Sequence, residues 1–226
     1  MGISGQQESP IPAPDEERGP RARTRRLMLE TATAIMQSGG TPSVSDVAEA
    51  AGVSRATAYR YFPSEAALIH AVVDQALGPI LNWKPEGDDA QSRVADLLAT
   101  SMPRIEEFEA TFKAALKLSL DQWAKRQANT LGSEPQFTRG HRVDLLLEAT
   151  APLADKLTRP HHQRLAQALS LVFGLEVLVV LKDIWGLNSQ EASDVAQWAA
   201  TALVKAAEAE AHSETANVPA IGRDDE

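Results

Sequence analysis

The stretch SVSDVAEAAGVSRATAYRYF, residues 43–62, has the pattern of two short helices joined by a tight turn. Ser43 and Asp46 form an S-x-x-D capping box, which fixes where the first helix begins. Gly52 is suited to end that helix, because glycine takes the left-handed conformation without a Cβ penalty. Ser54 can then cap the second helix. These local signals agree with one another and predict a helix-turn-helix.

The second helix of this motif has an apolar side and a polar side. Ala58 and Phe62 are spaced i, i+4 and form the inner side. The outer side carries groups that can donate hydrogen bonds to guanine edges or phosphate oxygens, or touch a thymine methyl group. These residues are Arg55, Thr57, Tyr59, Arg60 and Tyr61. We therefore predict contact with double-stranded DNA; the alternative is an ordinary helical hairpin in a larger core, with Arg and Tyr at its surface.

The stretch resembles the DNA-reading motif of the tetracycline-repressor (TetR) family, in which a capped apolar helix leads into AGVS, a Thr, a Tyr and finally Tyr-Phe. The resemblance implies base-facing positions at Ser45, Arg55, Ala56 and Thr57. It implies positions that mostly hold phosphates at Ser43, Ser54, Tyr59 and Tyr61. The family commonly places Lys at the start of the following helix, where this chain has Glu65, so no phosphate contact is assigned to that residue.

The composition favours an all-α protein, because Ala and Leu are abundant and β-branched runs are scarce. With 226 residues and 43% hydrophobic content, the chain has room for one small and one medium domain. It has no cysteine, which excludes disulfides and thiolate metal sites. The longest apolar run is too short to span a membrane, and the amino terminus lacks a signal-peptide pattern. We therefore expect a soluble, cytoplasmic protein with no membrane partner.

The net charge of −9 is unevenly distributed. Residues 18–64 hold seven Arg and three acidic residues, whereas the remainder from 65 onward holds 15 basic and 24 acidic residues. A basic head on an acidic body can bind DNA, because affinity depends on the phosphate contacts that are made. Five arginines lie within nine residues just before the motif, and among them Arg25 is predicted to contact phosphate or the minor groove.

The chain divides into four predicted segments. Residues 1–20 form a disordered leader, 21–66 a three-helix DNA-binding domain, 67–211 a helical effector-binding and dimerisation domain, and 212–226 a disordered tail. The first helix is predicted over 24–38, with Leu27, Thr31, Ala34 and Ile35 facing inward. A connector helix is predicted from Ser64 to about Leu77, ended by the Gly-Pro pair that follows.

Homodimer formation is predicted from the last two helices, over 161–185 and 190–211. The centre of the first of these, 168–181, is apolar on nearly all sides, so a second subunit must cover part of it. The TetR resemblance also implies dimerisation through these helices. Candidate interface residues are Leu171, Leu175, Leu178, Val179, Val195, Trp198 and Ala202. A dimer would present two reading helices to a palindromic operator.

A small-molecule effector site is predicted in the body. Its candidates are Met102, Phe108, Phe112, Leu116, Trp123 and Phe173, although such a stripe of large side chains can equally be plain core. Glu176 lies among apolar neighbours, so it either recognises a ligand or pairs with an Arg such as Arg142 or Arg164. The adjacent His161 and His162 diverge on a helix and lack a third ligand, so no metal and no cofactor are expected.

Together these features predict a homodimeric transcriptional regulator, most simply a repressor that a small apolar effector releases from DNA. No motif of a hydrolase, a dinucleotide-binding protein or a zinc protease is present, and no enzymatic activity is expected. Two alternatives remain open. One is a ligand-independent or partner-controlled DNA-binding protein, and the other is a small helical enzyme with an incidental helix-turn-helix.

Overall fold

A computed structural model describes residues 19–132, 137 and 140–216, with side chains through 212. These residues form helices and no strand, which confirms the all-α prediction. The predicted leader up to residue 18 and the tail from 217 lie outside the described residues. The α-helices are α1 Pro20–Gln37, α2 Val44–Ala50, α3 Arg55–Tyr61, α4 Glu65–Leu81, α5 Ala90–Glu107, α6 Glu109–Gln127, α7 His141–Ala149, α8 Arg159–Leu169, α9 Leu175–Leu178 and α10 Ser189–Ala216.

Helices α1 to α3 form the head. The buried residues of α1 are Met28, Leu29, Ala32 and Met36, one position away from the predicted inward stripe. Leu27, which was predicted to be buried, is 44% exposed. That prediction was wrong because helical periodicity fits either phase, and the two flexible methionines fill the space between the head helices.

Helix α4 joins the head to the body. It packs against α1 on the head side and against α5 and α6 on the body side. The predicted end near Leu77 was wrong, since α4 continues through Pro79 to Leu81. Proline removes the helical N–H that would donate to the Gln75 carbonyl. At the next carbonyl along the helix, that of Ala76, the body supplies a donor, because Arg104 Nε lies 3.0 Å from its oxygen.

The remaining body helices surround α5, which is continuous through Pro103. Helix α7 ends at Ala149, and a 3₁₀ turn, Ala151–Leu153, follows at the position of Pro152. The apolar helix predicted over 161–185 is interrupted at Gly174, whose φ of 109° only glycine adopts readily. Beyond α9 the chain continues as a π-helix, Val179–Ile184.

Helix α10 extends to Ala216, so the part of the predicted disordered tail at 212–216 is helical. Its buried stripe consists of small residues: Ala192, Ala196, Ala200, Val204, Ala207 and Ala211. Small side chains let two helices approach closely, and this stripe packs mainly on α5 and α8. The larger residues of α10, Val195 and Trp198, therefore face away from the core of this chain.

Candidate DNA interface and effector cavity

The turn between α2 and α3 is rigidly specified by the backbone. Ser43 Oγ accepts a hydrogen bond from the Asp46 N–H at 3.0 Å, which caps α2 as predicted. Gly52 has a φ of 65°, and Val53 N–H donates to the Ala48 carbonyl at 2.8 Å. This is the hydrogen-bond pattern of a Schellman ending. Both ends of the turn are therefore closed by hydrogen bonds within the motif itself.

Helix α3 presents its polar side outward. Ser54 Oγ accepts from the Thr57 N–H at 3.3 Å and donates to Thr57 Oγ1 at 2.9 Å. Ala58 and Phe62 are buried, as predicted. The predicted DNA-contacting residues of α3 fall into two groups: Arg55, Ala56, Tyr59 and Arg60 are exposed, and Thr57 and Tyr61 are half-buried.

Helix α2 adds a second contact point beside α3. Ser45 Oγ lies 3.4 Å from Tyr59 Oη, so a predicted base-facing residue and a predicted phosphate-facing residue meet on one surface. Arg25 on α1 lies over the Phe62 ring, with its guanidinium carbon 5.8 Å from the ring centroid. This cation–π contact fixes the Arg25 side chain against the head, while Arg21, Arg23 and Arg26 remain exposed. The outcome is one polar surface with several exposed arginines.

The body contains a half-open apolar cavity of about 90 Å³ beside α4. Of the predicted effector-site residues, Phe112 and Phe173 line it. The others do not: Met102 is buried elsewhere in the core, Leu116 packs at the core edge, the Phe108 ring lies 4.1 Å from the Arg104 guanidinium, and Trp123 is 56% exposed on α6. These four side chains lie away from this cavity, because the sequence shows which side chains are large but not which wall they form.

The α4 wall of this cavity was not predicted from the sequence. Four α4 residues line it: Val73, Leu77, Ile80 and Leu81. The signal was present, because the apolar residues of α4 cover more than one face, as expected of a helix packed on two sides. Phe137 completes the wall from the segment before α7, held by its N–H donating to Gln122 Oε1 at 2.8 Å.

Arg142 organises the far side of the cavity. Its Nη2 donates to Glu176 Oε2 at 2.7 Å, and its Nη1 donates to the carbonyl oxygens of Ser170 at 3.3 Å and Phe173 at 3.2 Å. Glu176 thus pairs with Arg142, one of the two partners considered from sequence, whereas Arg164 pairs with Glu210. A Cβ on Gly174 would lie 3.0 Å from Arg142 Nη2, so a larger residue there would crowd the guanidinium in addition to straining the backbone.

A carboxylate with two histidines connects α4 to α7 near the cavity. Asp74 Oδ2 lies 3.0 Å from His70 Nδ1 on the same helix, and Asp74 Oδ1 lies 3.5 Å from His141 Nε2 on α7. Burial raises the pKa of Asp74, but the hydrogen bonds and charges of His141 and His70 outweigh burial and hold that pKa well below its usual range. The hydrogen bond with Asp74 raises the pKa of His70.

The predicted dimer residues separate into two groups. Leu171 is 77% and Trp198 74% exposed, and Val195 and Ala202 are also exposed. Leu175 and Leu178 are buried within this chain, and Val179 is half-buried, so the first two were wrongly assigned to an interface. The reason is the break at Gly174, which turns α9 into the core. Further exposed apolar residues lie on the π-helix and just after it: Val180, Ile184 and Trp185.

No group of His, Cys, Asp or Glu suited to a metal occurs among the described residues. His162 Nε2 lies 2.9 Å from Thr150 Oγ1, which gives that histidine a structural contact. In the described ranges, no helix has the length and apolar content needed to cross a membrane.

The fold and the polar face of α3 define a DNA-binding protein of the helix-turn-helix class. Residues 28–72 match the model of the family described as bacterial regulatory proteins, tetR family. Over 60 residues the chain is 40% identical to the HTH-type transcriptional repressor LfrR of Mycolicibacterium smegmatis. The matching segment is 26% of this chain and spans 32% of that repressor's length. Residues 28–72 therefore carry the amino-terminal domain of the tetR family of bacterial regulatory proteins, in agreement with the prediction from the motif.

The fold of the whole chain agrees with this assignment. It is similar to the crystal structure of a TetR transcriptional regulator from Rhodococcus sp. RHA1, with a TM-score of 0.53 and 22% identity. The similarity covers 80% of this chain and 95% of that one. The head and the helical body thus share the fold of that structure.

Proposed function

We propose that this protein is a cytoplasmic, homodimeric transcriptional repressor that binds a palindromic operator and is released by a small, largely apolar effector. The observation that carries the proposal is the position of α4. One helix packs against α1 of the head and also supplies Val73, Leu77, Ile80 and Leu81 to the cavity wall. Any ligand that moves this wall also moves the support of the head.

The polar surface of the head supports DNA binding. Arg55 and Arg60 on α3 and the exposed arginines of α1 supply positive charge where the phosphates of a duplex would pass. The polar outer side of α3 can enter the major groove, in which each base pair presents a distinct pattern of donors and acceptors. Base readout is assigned to Ser45, Arg55, Ala56 and Thr57, and backbone positioning to Ser43, Ser54, Tyr59, Tyr61 and Arg25.

The size of the cavity supports a mechanism in which binding requires movement. An apolar cavity of about 150 Å³ can hold benzene, and this one has a volume of about 90 Å³. An aromatic effector would therefore have to push its wall outward. A 100-fold loss of operator affinity needs a preference of about 2.7 kcal/mol for the displaced state. Burying roughly 110 Å² of apolar ligand surface is worth about that much.

A substitution that fills the cavity tests this coupling without an identified effector. Ala115→Phe adds a ring to the buried wall on α6, and Ala124→Phe adds the same ring at an exposed position of the same helix. We expect Ala115→Phe to weaken binding to an operator selected from random DNA, and Ala124→Phe to leave it unchanged. Circular dichroism and sedimentation would verify fold and assembly. A folded Ala115→Phe variant with wild-type operator affinity would contradict effector-relieved repression.

A second candidate function is a DNA-binding regulator controlled by a partner protein instead of a ligand. The small volume of the cavity favours it, because drug-sized ligand pockets are usually about 300–1,000 Å³. A thermal-shift screen of apolar compounds separates the two functions. The effector proposal expects compounds that stabilise the protein and also weaken operator binding, whereas the partner-controlled alternative expects none that change operator affinity.

A further inference from the structure

Resting on the proposed effector site, we propose that the effector is an apolar carboxylic acid whose carboxylate pairs with Arg142 and His141 at the mouth of the cavity. In the described part of the chain, the charged or titratable side chains that line the cavity are these two. A guanidinium and a protonated imidazole present N–H donors and positive charge, so they favour an anion or a hydrogen-bond acceptor. Their acidic partners, Asp74 and Glu176, lie outside the lining. The cavity therefore presents an apolar interior with nitrogen donors at one end.

Arg142 is held in place for such a contact. Three acceptors fix its guanidinium: the carbonyl oxygens of Ser170 and Phe173 and the carboxylate of Glu176. A guanidinium carries five N–H groups in a rigid planar fork that matches a carboxylate. The described contacts use Nη1 twice and Nη2 once, which leaves the Nε–H and one Nη2–H for a ligand. Because the side chain is already ordered, a ligand gains the contact with little further loss of side-chain entropy.

The absence of a side chain at Gly174 keeps this guanidinium accessible from the cavity. Gly174 lines the cavity next to Phe173, and a Cβ there would lie 3.0 Å from Nη2. His141 supplies a second donor from the adjacent position on α7, and its Nε2 lies 3.5 Å from Asp74 Oδ1. The apolar body of the ligand would then lie against Phe112, Phe137 and the α4 wall. A cationic amine would instead meet like charge at the mouth and would be rejected.

Two sets of matched compounds test the proposed ligand class on the full chain. Phenylacetate, phenylacetamide and phenethylamine share one body, and octanoate, octanamide and octylamine share another. Binding is measured by calorimetry or ligand-observed NMR, followed by titration into the protein–operator complex. We expect the acid of at least one set to bind about tenfold more tightly than its amide. We expect the amine to bind most weakly and the acid alone to release the operator.

Variants separate a ligand contact from a merely structural role. Arg142→Gln and the partly exposed His141→Leu should each remove the preference for acid over amide. Since Arg142→Gln can destabilise the α8–α9 connection, Glu176→Gln provides a readout of opposite sign. It removes a competing carboxylate, so the acid should bind several-fold more tightly while amide affinity stays unchanged, and a merely structural Arg142–Glu176 pair predicts no such gain.

Each outcome bears on the proposal. A preference for the acid that disappears in the Arg142 or His141 variants supports it. Equal binding of acid, amide and amine, or a preference for the amine, overturns the ligand class and leaves the effector cavity intact. Failure of all six compounds to bind, while Ala115→Phe weakens operator binding, also overturns the ligand class alone. Failure of all six compounds to bind, together with an Ala115→Phe variant that keeps wild-type operator affinity, rejects the proposed effector function itself.

Discussion

At the scale of single residues, Arg55 is where sequence readout should be most sensitive. It lies exposed in the first turn of α3, so its removal should not disturb the head. Arg55→Ala is expected to relax base preference at one position of each half-site and to weaken binding by about 1–3 kcal/mol for each base that Arg55 reads. Selection of bound sequences from a random pool measures the change. An unchanged consensus at every position would show that Arg55 does not read a base.

Tyr61→Phe is the matched control for that experiment. Its hydroxyl is assigned to a phosphate, which carries no sequence information. The variant should therefore weaken binding to all sequences alike and leave the selected consensus intact. If Tyr61→Phe shifted base preference while Arg55→Ala did not, the two assignments would have to be exchanged.

His70 and Asp74 predict how stability depends on pH. The pKa of His70 is raised in the folded state, so its contribution is fully present below its unfolded value of about 6.5 and is lost as the pH rises through the folded pKa. The pKa of Asp74 is lowered, so its contribution is present above about pH 4 and is lost in acid. His70→Gln should remove part of the stability difference between pH 5.5 and pH 8.

Urea unfolding at the two pH values measures that difference. His212→Gln, at an exposed position of α10, is the matched control and should leave the difference unchanged. If His70→Gln retains the full wild-type difference, the raised pKa of His70 does not contribute to stability.

At the scale of elements, local signals predicted α2 and α3 well and the longer helices less well. The limits of α2 and α3 depend on Ser43, Gly52 and Ser54, whose bonds all lie within the motif. The continuation of α4 through Pro79 accompanies a bond from Arg104, 28 residues from its acceptor Ala76. The same separation lies between Arg142 and Ser170 at the α8–α9 break. Such bonds leave no periodic trace in the sequence.

The cavity illustrates the same limit. Phe112 and Phe173 could be proposed from their size, but the walls from α4 and α7 depend on how three helices meet. Trp123 was proposed on the same grounds and lies on the surface. A large apolar side chain is expected to pack in the core, but its size does not show where the packing of the core is incomplete and a cavity remains.

The Arg104 contact makes a prediction about the α4 element. Arg104 donates to the Ala76 carbonyl and stacks on Phe108, and its side chain is largely shielded from solvent. Arg104→Met should lower the free energy of unfolding by about 1–2 kcal/mol, because it removes the charged hydrogen bond and the cation–π interaction. Glu107→Gln, which removes only the more exposed partner of Arg104, should cost less than about 0.5 kcal/mol. Equal effects of the two variants in urea denaturation would show that the bond to α4 contributes nothing.

At the scale of the whole molecule, the main feature is the set of large apolar side chains from Leu171 onward that the single chain leaves exposed to solvent. Leu171, Ile184, Trp185 and Trp198 are each at least 70% exposed, on the last part of the chain that the structure describes. Where such exposed apolar side chains adjoin one another, the resulting patch marks an interaction site in a protein. In the proposed dimer a second copy of the chain would cover these residues, and its two-fold axis would pair the two heads with a palindromic duplex.

Trp198→Glu tests this assembly with a natural control in the same chain. A charge at the centre of a desolvated apolar interface is strongly unfavourable, so the variant should sediment as a monomer and lose most of its affinity for the palindrome. Trp123→Glu places the same charge at another exposed tryptophan, on α6, and should remain dimeric with wild-type operator binding. Because both positions are exposed within the chain, both variants should keep the helical fold. If Trp198→Glu stays dimeric while Trp123→Glu becomes monomeric, the interface lies on α6 and the two reading heads must be spaced by a different two-fold axis.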